Sequence, residues 1–474
     1  IQSDDSFFSI GLDSLKTFEF VTALSRLLAC ELSAEIMFDS DTPAALSQLV
    51  INRLSNKSSS VASSVSKRID WQAEKTLPVD ICSDKSLMPP VDKPSCVLIT
   101  GATGFVGIHL LHHLLHHSDV TVYCLVRAAD PKQAAQKITQ QLKTFQLPVT
   151  REQLRRGIPV CGDLSQPRFG LSAQQFYQLA ERVDTIYHLG AAVNHLYGYK
   201  QLKPANVIGT QTVLRLASTR RLKPVYFMSS LSIFDAYTAS AVTETTPLSH
   251  LDSETMMGYA QSKWVAEHLL QTARERGIPT VCIRTGFILG NRQTRQMNPK
   301  DQFSLLLQSI LQSGKMPQTL SIAHFISPPV DVVCQTLAAL SVKRRDSDAL
   351  SQLKHTCHLV YPSQVWASIT AALQQSGSSI EQVSAQDWLT QLASFQAASP
   401  GQSRAVAVLK SLYQGAAQAR LTALGPQFDT KRTRLHLAQH GIVLPRPDAN
   451  LFFPYIKALC IKALDIKALT GGDR

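Results

Sequence analysis

The sequence predicts an α/β protein: a doubly wound parallel sheet, with a mostly helical subdomain after it and a short helical segment before it. Three observations carry this. From Ser95 onward, short apolar runs alternate with helical stretches, as a parallel sheet covered on both faces requires. The first run feeds straight into a glycine-rich loop and then a helix. The charge balance also changes along the chain. Residues 1–52 hold eight acidic and two basic side chains, a net of −6, so the remainder of a chain totalling +12 carries +18.

Taken in order, Leu15, Phe18, Val21, Leu24, Leu27 and Leu28 fall at helical spacing over 14–30, and a short helix is expected from Pro43 to Arg53. Residues 54–94 are rich in Ser, Lys and Pro and read as a linker, within which Trp71 to Ile81 is expected to pack onto the next domain. The predicted strands are CVLIT (96–100), VTVYCLV (120–126), IPVCG (158–162), TIYHLGA (185–191), VYFMSS (225–230) and TVCIR (280–284). Past Ser321 the pattern turns helical, with helices expected at Asp331–Leu340 and Pro362–Gln375. The expected division is a helical segment over 1–53, a linker over 54–90, a nucleotide-binding domain over 91–320 and a substrate-side subdomain over 321–474. The closing IKALCIKALDIKAL repeats every five residues, which turns its lysines to different sides of a helix, so it forms no membrane-binding face.

Composition narrows the function. With 44% hydrophobic and 17% charged residues the chain reads as soluble and globular, and no apolar run is long enough to cross a membrane. Nine scattered cysteines without Cys-x-x-Cys spacing indicate free thiols in a reducing cytoplasm, with neither a disulfide framework nor a zinc site. The basic residues come singly, without the aromatic-interleaved blocks of a nucleic-acid surface. An anionic cofactor and an acidic partner account for them as well.

The loop Gly101-Ala102-Thr103-Gly104-Phe105-Val106-Gly107 lies between a first strand and a first helix, the context that gives a GxxGxxG motif its meaning. Glycine permits the tight turn and the close approach of a pyrophosphate, whose charge meets the helix N-terminus. The second strand ends in Arg127 with no acid before Asp130, and an arginine there accommodates the 2′-phosphate of NADPH. Asp163 and Leu164 close the third strand, where they can bracket the adenine. On the helix after the loop, His109, His112, His113, His116 and His117 read as a solvated face opposite Leu110, Leu111, Leu114 and Leu115, and not as a metal site.

Tyr259 and Lys263 stand at i and i+4, on one face of a helix. A cation beside a phenol favours its phenolate, so Lys263 is expected to lower the pKa of Tyr259 and to reach the nicotinamide ribose. The strand VYFMSSLSIF presents Ser229, Ser230 and Ser232 as hydroxyls able to hold a carbonyl oxygen that gains charge.

With these pieces together the chain resembles the extended short-chain dehydrogenase/reductases, whose sheet is Rossmann-like. More closely, it resembles the thioester reductase domains that end nonribosomal peptide and polyketide synthetases, and those of aminoadipate and carboxylic acid reductases. The resemblance runs from about Asp70 to the C-terminus, through TGATGFVG, LVRA, GDL, HLGAAVNHLYGY, ANVIGT, SSLSIF, YAQSKWVAE and PVDVV. It implies a catalytic triad of Ser230, Tyr259 and Lys263. It also implies cofactor contacts from Ala191 and from Asn206, which orders the lysine and its water. Lys137 stands where the family often has a second arginine at the 2′-phosphate, and GNRQTRQMNPKDQF lacks the glycine usual after its threonine.

The N-terminal DSFFSIGLDSLKTFEFV similarly resembles the second half of an acyl or peptidyl carrier domain, truncated before its first helix. The resemblance implies that Ser14 carries 4′-phosphopantetheine, and a phosphate sits well at a helix N-terminus. The implied function is NADPH-dependent reductive release of a carrier-bound acyl or peptidyl thioester as an aldehyde, or on to an alcohol. Synthetase modules would precede residue 1. The rival readings are a fatty acyl-CoA reductase or another extended short-chain dehydrogenase/reductase, and a non-catalytic NADP-binding module.

Overall fold

The structure, a computed structural model, describes residues 2–5, 7, 20–21, 23–25, 27–28, 40, 42–55, 69–84, 86–194, 197–235, 237, 241–318, 324–342, 356–361, 365–394 and 426–470. Ser14, most of the helix predicted over 14–30 and the linker core over 56–68 lie outside the described residues.

Within the N-terminal segment, helix α1 (Pro43–Ser55) turns Leu46 and Val50 into a small buried cluster with Phe7 and Val21. Seven strands then build the central sheet: β1 (Cys96–Thr100), β2 (Thr121–Val126), β3 (Gly157–Cys161), β4 (Thr185–His188), β5 (Val225–Ser230), β6 (Thr280–Thr285) and β7 (Thr356–Leu359). Their order is β3-β2-β1-β4-β5-β6-β7, with every neighbour parallel. The sheet is wound outward in two directions from the β1/β4 junction, so the doubly wound expectation holds. Pro159, which has no N–H to give, sits in β3 at the sheet's edge.

Alternation along the strands feeds two cores. Leu98, Tyr123 and Leu125 point to one face, where they meet Leu179, Val213, Leu214, Val265 and Leu269. Val97, Ile99, Val122 and Cys124 point to the other, onto Ile108, Leu111 and Leu115 of helix α2 (Phe105–His117). The catalytic-helix candidate, α3 (Gly258–Glu275), lies over the first face. A third cluster, with Phe303, Leu306, Trp366, Ile369, Phe452 and Tyr455 among its members, is built largely from the C-terminal part.

Several expectations need correcting. Residues past 321 do not keep to a separate helical layer. They supply β7 to the central sheet, and helix α4 (Val330–Val342) packs its Val330, Val333 and Leu337 into the core under α2. The stretch 343–355 that leads to β7 is polar, and TCHL is a run of four residues, too short to stand out as a sheet strand. The helix expected from Pro362 begins at Trp366. Trp71 to Ile81 packs onto the reductase as expected, with Leu77 and Ile81 fully buried in the first core.

The histidine face is also not uniformly solvated. His109 is 2% exposed, its ring lies 4.8 Å from Phe105 and 5.2 Å from Phe145, and its Nδ1–H donates to the Phe105 carbonyl at 2.8 Å. Burial lowers its pKa to about 4, so the imidazole is neutral. The cause is cover from outside the helix: α4 and the 291–295 turn roof a cavity of about 360 Å³ lined by His109, His112, His113 and His117. Among the described residues no group of three or more His, Cys, Asp or Glu side chains is placed to hold a metal.

Candidate active site

The site grows from the β1/β4 junction, where neighbouring strands lead their connections to opposite faces and a crevice must open. Gly101 takes a φ of +70°, and a Cβ there would stand 2.6 Å from Gly190 Cα at the end of β4. At Gly107 a Cβ would stand 2.1 Å from the Gly101 carbonyl. The loop therefore closes only with glycine at both places. Helix α2 starts at Gly104 without any side-chain cap, so its first N–H groups face the crevice unclaimed by the chain's own side chains. A pyrophosphate fits this cradle: space that a side chain would fill, and donors that need an acceptor.

Thr103, Phe105 and Val106 lie on the loop and first turn as expected. Leu164 reaches over the cradle, its Cδ1 standing 2.7 Å from where a Gly190 Cβ would be. Asp163 is engaged in the turn after β3, accepting from the Ser165 N–H at 2.9 Å and the Ser165 hydroxyl at 2.8 Å. At the end of β2, Arg127 is exposed and Lys137 donates to its carbonyl at 2.6 Å, so two cations converge there. The nearby acid is otherwise employed: Asp130 caps the next helix by accepting from Gln133 N at 2.8 Å.

Beneath the cradle runs a buried chain that sequence reasoning missed. The Thr210 hydroxyl donates to the Asn206 carbonyl at 2.6 Å, so it accepts from His188 Nε2–H at 3.0 Å. His188 Nδ1 is then the acceptor for Thr100 at 2.8 Å, and Thr100 Oγ1 in turn accepts from Gly190 N at 3.1 Å. Burial lowers the His188 pKa to about 3, which keeps this tautomer neutral.

Asn206 lies in a π-helical turn, Pro204–Ile208, of the kind that re-aims side chains at functional sites. Its amide brackets the backbone of Ala192, accepting from N at 2.7 Å and donating to O at 3.1 Å, and donates to Ser262 Oγ at 2.9 Å. It therefore ties the Ala191–Ala192 loop to α3, one residue from Lys263. The lysine itself donates to the Met228 carbonyl at 2.8 Å and lies 4.6 Å from the Phe227 ring centroid and 5.9 Å from that of Tyr259.

The electrostatics differ from the expectation. Burial raises the Tyr259 phenol above its ordinary value, and this outweighs any help from Lys263. Burial also lowers Lys263 to about 8, with Cys282 and Glu267 opposing the fall. The site thus holds a protonated phenol, suited to give a proton, beside an ammonium poised near neutrality.

The three serines sit in different surroundings. Ser230, half-buried at the end of β5, accepts from Ser232 N at 3.1 Å and keeps its own proton to donate. Ser229 points to the other side of the strand, where its buried hydroxyl donates to Glu267 at 2.5 Å. The Ser232 hydroxyl is buried. Glu267, one turn beyond Lys263, is held by Arg284 through contacts of 2.7, 3.0 and 3.1 Å, and Arg284 meets His358 of β7 at 3.1 Å. The Tyr-Lys-Glu series at i, i+4 and i+8 was the available signal for Glu267; Arg284 carried none.

Known proteins share this arrangement of segments. Residues 99–337 match the family described as "Male sterility protein", and residues 1–50 match "Phosphopantetheine attachment site". The chain is 32% identical over 98% of its length to a linear gramicidin synthase of Brevibacillus parabrevis, of which it spans 9%. It is 31% identical over 98% of its length to an aldehyde reductase of Aspergillus flavus, of which it spans 46%. It therefore spans less than half of these curated relatives. Among solved structures, the terminal R domain of the myxalamid PKS-NRPS biosynthetic pathway superposes with a TM-score of 0.73 at 30% identity, covering 83% of this chain and 97% of that one.

Proposed function

The chain belongs to the male sterility protein family as an NAD(P)-dependent oxidoreductase joined to a phosphopantetheine attachment segment, and on that premise we propose that it reductively releases a carrier-bound acyl or peptidyl thioester as an aldehyde. The observation that carries the reading is that Lys263 Nζ lies 5.9 Å from the Tyr259 ring centroid and donates at 2.8 Å to the Met228 carbonyl of β5, two residues before Ser230, on a chain that also holds an uncapped glycine cradle.

In this reading Gly101, Thr103, Gly104, Phe105, Val106, Gly107, Leu164 and Ala191 hold the dinucleotide, with Asp163 shaping the turn beside it. Arg127 and Lys137 select NADPH through its extra phosphate. The bound dinucleotide supplies hydride. Ser230 orients the thioester carbonyl with its hydroxyl, and the neutral Tyr259 phenol gives a proton to the oxygen as it gains charge. The C–S bond of the resulting hemithioacetal then breaks as its hydroxyl proton passes to the departing sulfur, which releases the aldehyde and leaves the thiol on the arm. Lys263, fixed by the Met228 carbonyl, keeps a positive charge near that oxygen; Asn206 fixes the loop and helix that flank it. Ser14 is the attachment point for 4′-phosphopantetheine.

Residues 1–53 form the carrier, 69–84 pass from linker to reductase, and what lies past 321 outside α4 and β7 is the substrate-side part. The partners are the tethered thioester and synthetase modules that precede this segment, and the setting is the cytoplasm. Among the described residues no helix is long and apolar enough to cross a membrane.

The test is NADPH consumption with a panel of acyl-pantetheine thioesters, beside a Tyr259→Phe control. Turnover by the wild type alone supports the reading, and the product, aldehyde or alcohol, fixes the number of hydrides. Tight NADPH binding without oxidation by any thioester overturns it.

A further inference from the structure

We propose that Trp71 and Glu74 are positioning residues for Tyr259, so that the segment joining carrier to reductase is part of the reductase's catalytic architecture. The inference rests on the reductase reading above.

Both residues lie in one helical turn, Trp71–Glu74, capped by Asp70. Glu74 accepts from the buried Tyr199 hydroxyl at 2.6 Å with one oxygen and from Lys203 Nζ at 2.6 Å with the other. Tyr199 and Lys203 are the two ends of a short helix that runs directly into the π-helical turn carrying Asn206. Upstream, the backbone of 197–199 lies against Gly258, the residue before Tyr259. A Cβ at Gly258 would stand 2.4 Å from the Tyr197 carbonyl and 2.7 Å from Tyr199 N. Glu74 thus reaches the start of the catalytic helix through Tyr199 and one backbone contact.

Trp71 grips the same place from two other directions. Its indole N–H donates to Glu254 at 2.7 Å, in the 3-10 turn Ser253–Thr255 that leads into α3. Its ring meets Tyr199 edge-on at 5.0 Å and Trp264 of α3 at 5.8 Å. Lys75 covers the outer face of Trp264 at 5.0 Å. The segment continues along α3 to its C-terminus, where the Arg276 guanidinium donates to the carbonyls of Leu77, Pro78 and Ile81. A tether needs one anchor. Three contacts converging within five residues of Tyr259 exceed that need, and each fixes backbone that a proton donor must not lose.

The experiment uses the full chain with Glu74→Ala, the near-isosteric Glu74→Gln, Trp71→Phe, Tyr199→Phe and the Glu74→Gln/Tyr199→Phe double variant. Asp80→Ala, which breaks an exposed pair with Arg215 on the same segment, is the control. Glu74→Ala and Trp71→Phe are expected to lower kcat with free acyl-pantetheine thioester by about tenfold or more at unchanged NADPH affinity, as small misplacements of reacting groups do. The double variant is expected to lose less than the sum of the two single losses, since Tyr199→Phe removes one of the two bonds that Glu74 accepts. Asp80→Ala is expected to stay within about twofold of wild type, as exposed pairs contribute little.

Hydrogen exchange of the amides over 254–263 is expected to quicken about tenfold in the same two variants. That measurement needs no substrate, so it separates failure of this inference from failure of the reductase reading. Wild-type exchange in every folded variant, or a lowered melting temperature with kcat and exchange unmoved, overturns the proposal.

Discussion

At the scale of single residues, the site is a protonated phenol and a partly discharged ammonium, both set by burial. Because Lys263 is lowered to about 8, it is a cation below that pH and neutral above it. If the charge near the carbonyl oxygen contributes to the rate, kcat/KM should fall as pH rises through about 8, and the pH–rate profile of the wild type checks it. A profile flat to pH 10 would remove Lys263 from the electrostatic role. Tyr259→Phe deletes the proton donor without altering the half-buried ring, so kcat should drop by about 10²–10⁴-fold while the melting temperature stays close to wild type. Arg127→Ala should weaken NADPH binding by about tenfold to a hundredfold and leave NADH binding nearly unchanged, the worth of one charge-assisted contact to phosphate. Titration of both cofactors measures it. These residues were legible because each stands in a local pattern: Tyr259 and Lys263 at helical spacing, Arg127 at a strand end, the glycines in one loop. What local pattern could not give was sign. Whether Lys263 or burial governs the phenol depends on what lies above it, and the sequence held no trace of that cover. Ser229 and Ser230 were likewise indistinguishable until β5 turned Ser229 onto Glu267 and left Ser230 accepting from Ser232 N.

At the scale of elements, six of the seven central strands were legible as apolar runs: five are buried on both faces and so have few polar residues to confuse the pattern, and the half-buried edge strand β3 keeps an apolar run as well. Strand β7 was not, being four residues long and paired only through β6. Its placement matters because His358 joins the buried Arg284–Glu267 pair, and Thr433 Oγ1 in turn accepts from His358 N at 2.9 Å while donating to Glu244 at 2.9 Å. Strands β5, β6 and β7 are thereby stitched to α3 through Ser229, Arg284 and His358. Both members of the ion pair are 3% exposed, so the pair is costly to break from one side. Glu267→Gln should destabilise the protein by about 3–5 kcal/mol, because it leaves the Arg284 charge buried and uncompensated, whereas replacing both partners with apolar residues of similar volume should cost much less. Chemical denaturation of the two variants compares them. Equal losses would mean that the pair is held for its shape rather than its charge.

At the scale of the whole molecule, two facts bear on how the parts work together: the opposite charges of the N-terminal segment and the rest, −6 against +18, and the short distance along the chain between them. Residue 55 ends α1 and residue 69 opens the segment clamped on the reductase. The thirteen residues over 56–68 span at most about 45 Å even when fully extended. Confinement within such a radius corresponds to an effective concentration on the order of millimolar, so on the proposed reading a thioester on Ser14 would meet its own reductase far more often than one on another molecule at micromolar protein. Single-turnover reduction of the loaded chain should therefore be first-order, with a rate constant unchanged over a hundredfold range of protein concentration. Added salt should slow it, since the attraction between oppositely charged surfaces is screened within about 8–10 Å at 0.1–0.15 M ionic strength. Ser14→Ala should abolish both loading and this turnover. A rate constant that rises in proportion to concentration would show that the carrier serves a neighbouring chain, and would make the grip of Trp71 and Glu74 a matter of catalytic geometry alone, with no part in delivering substrate.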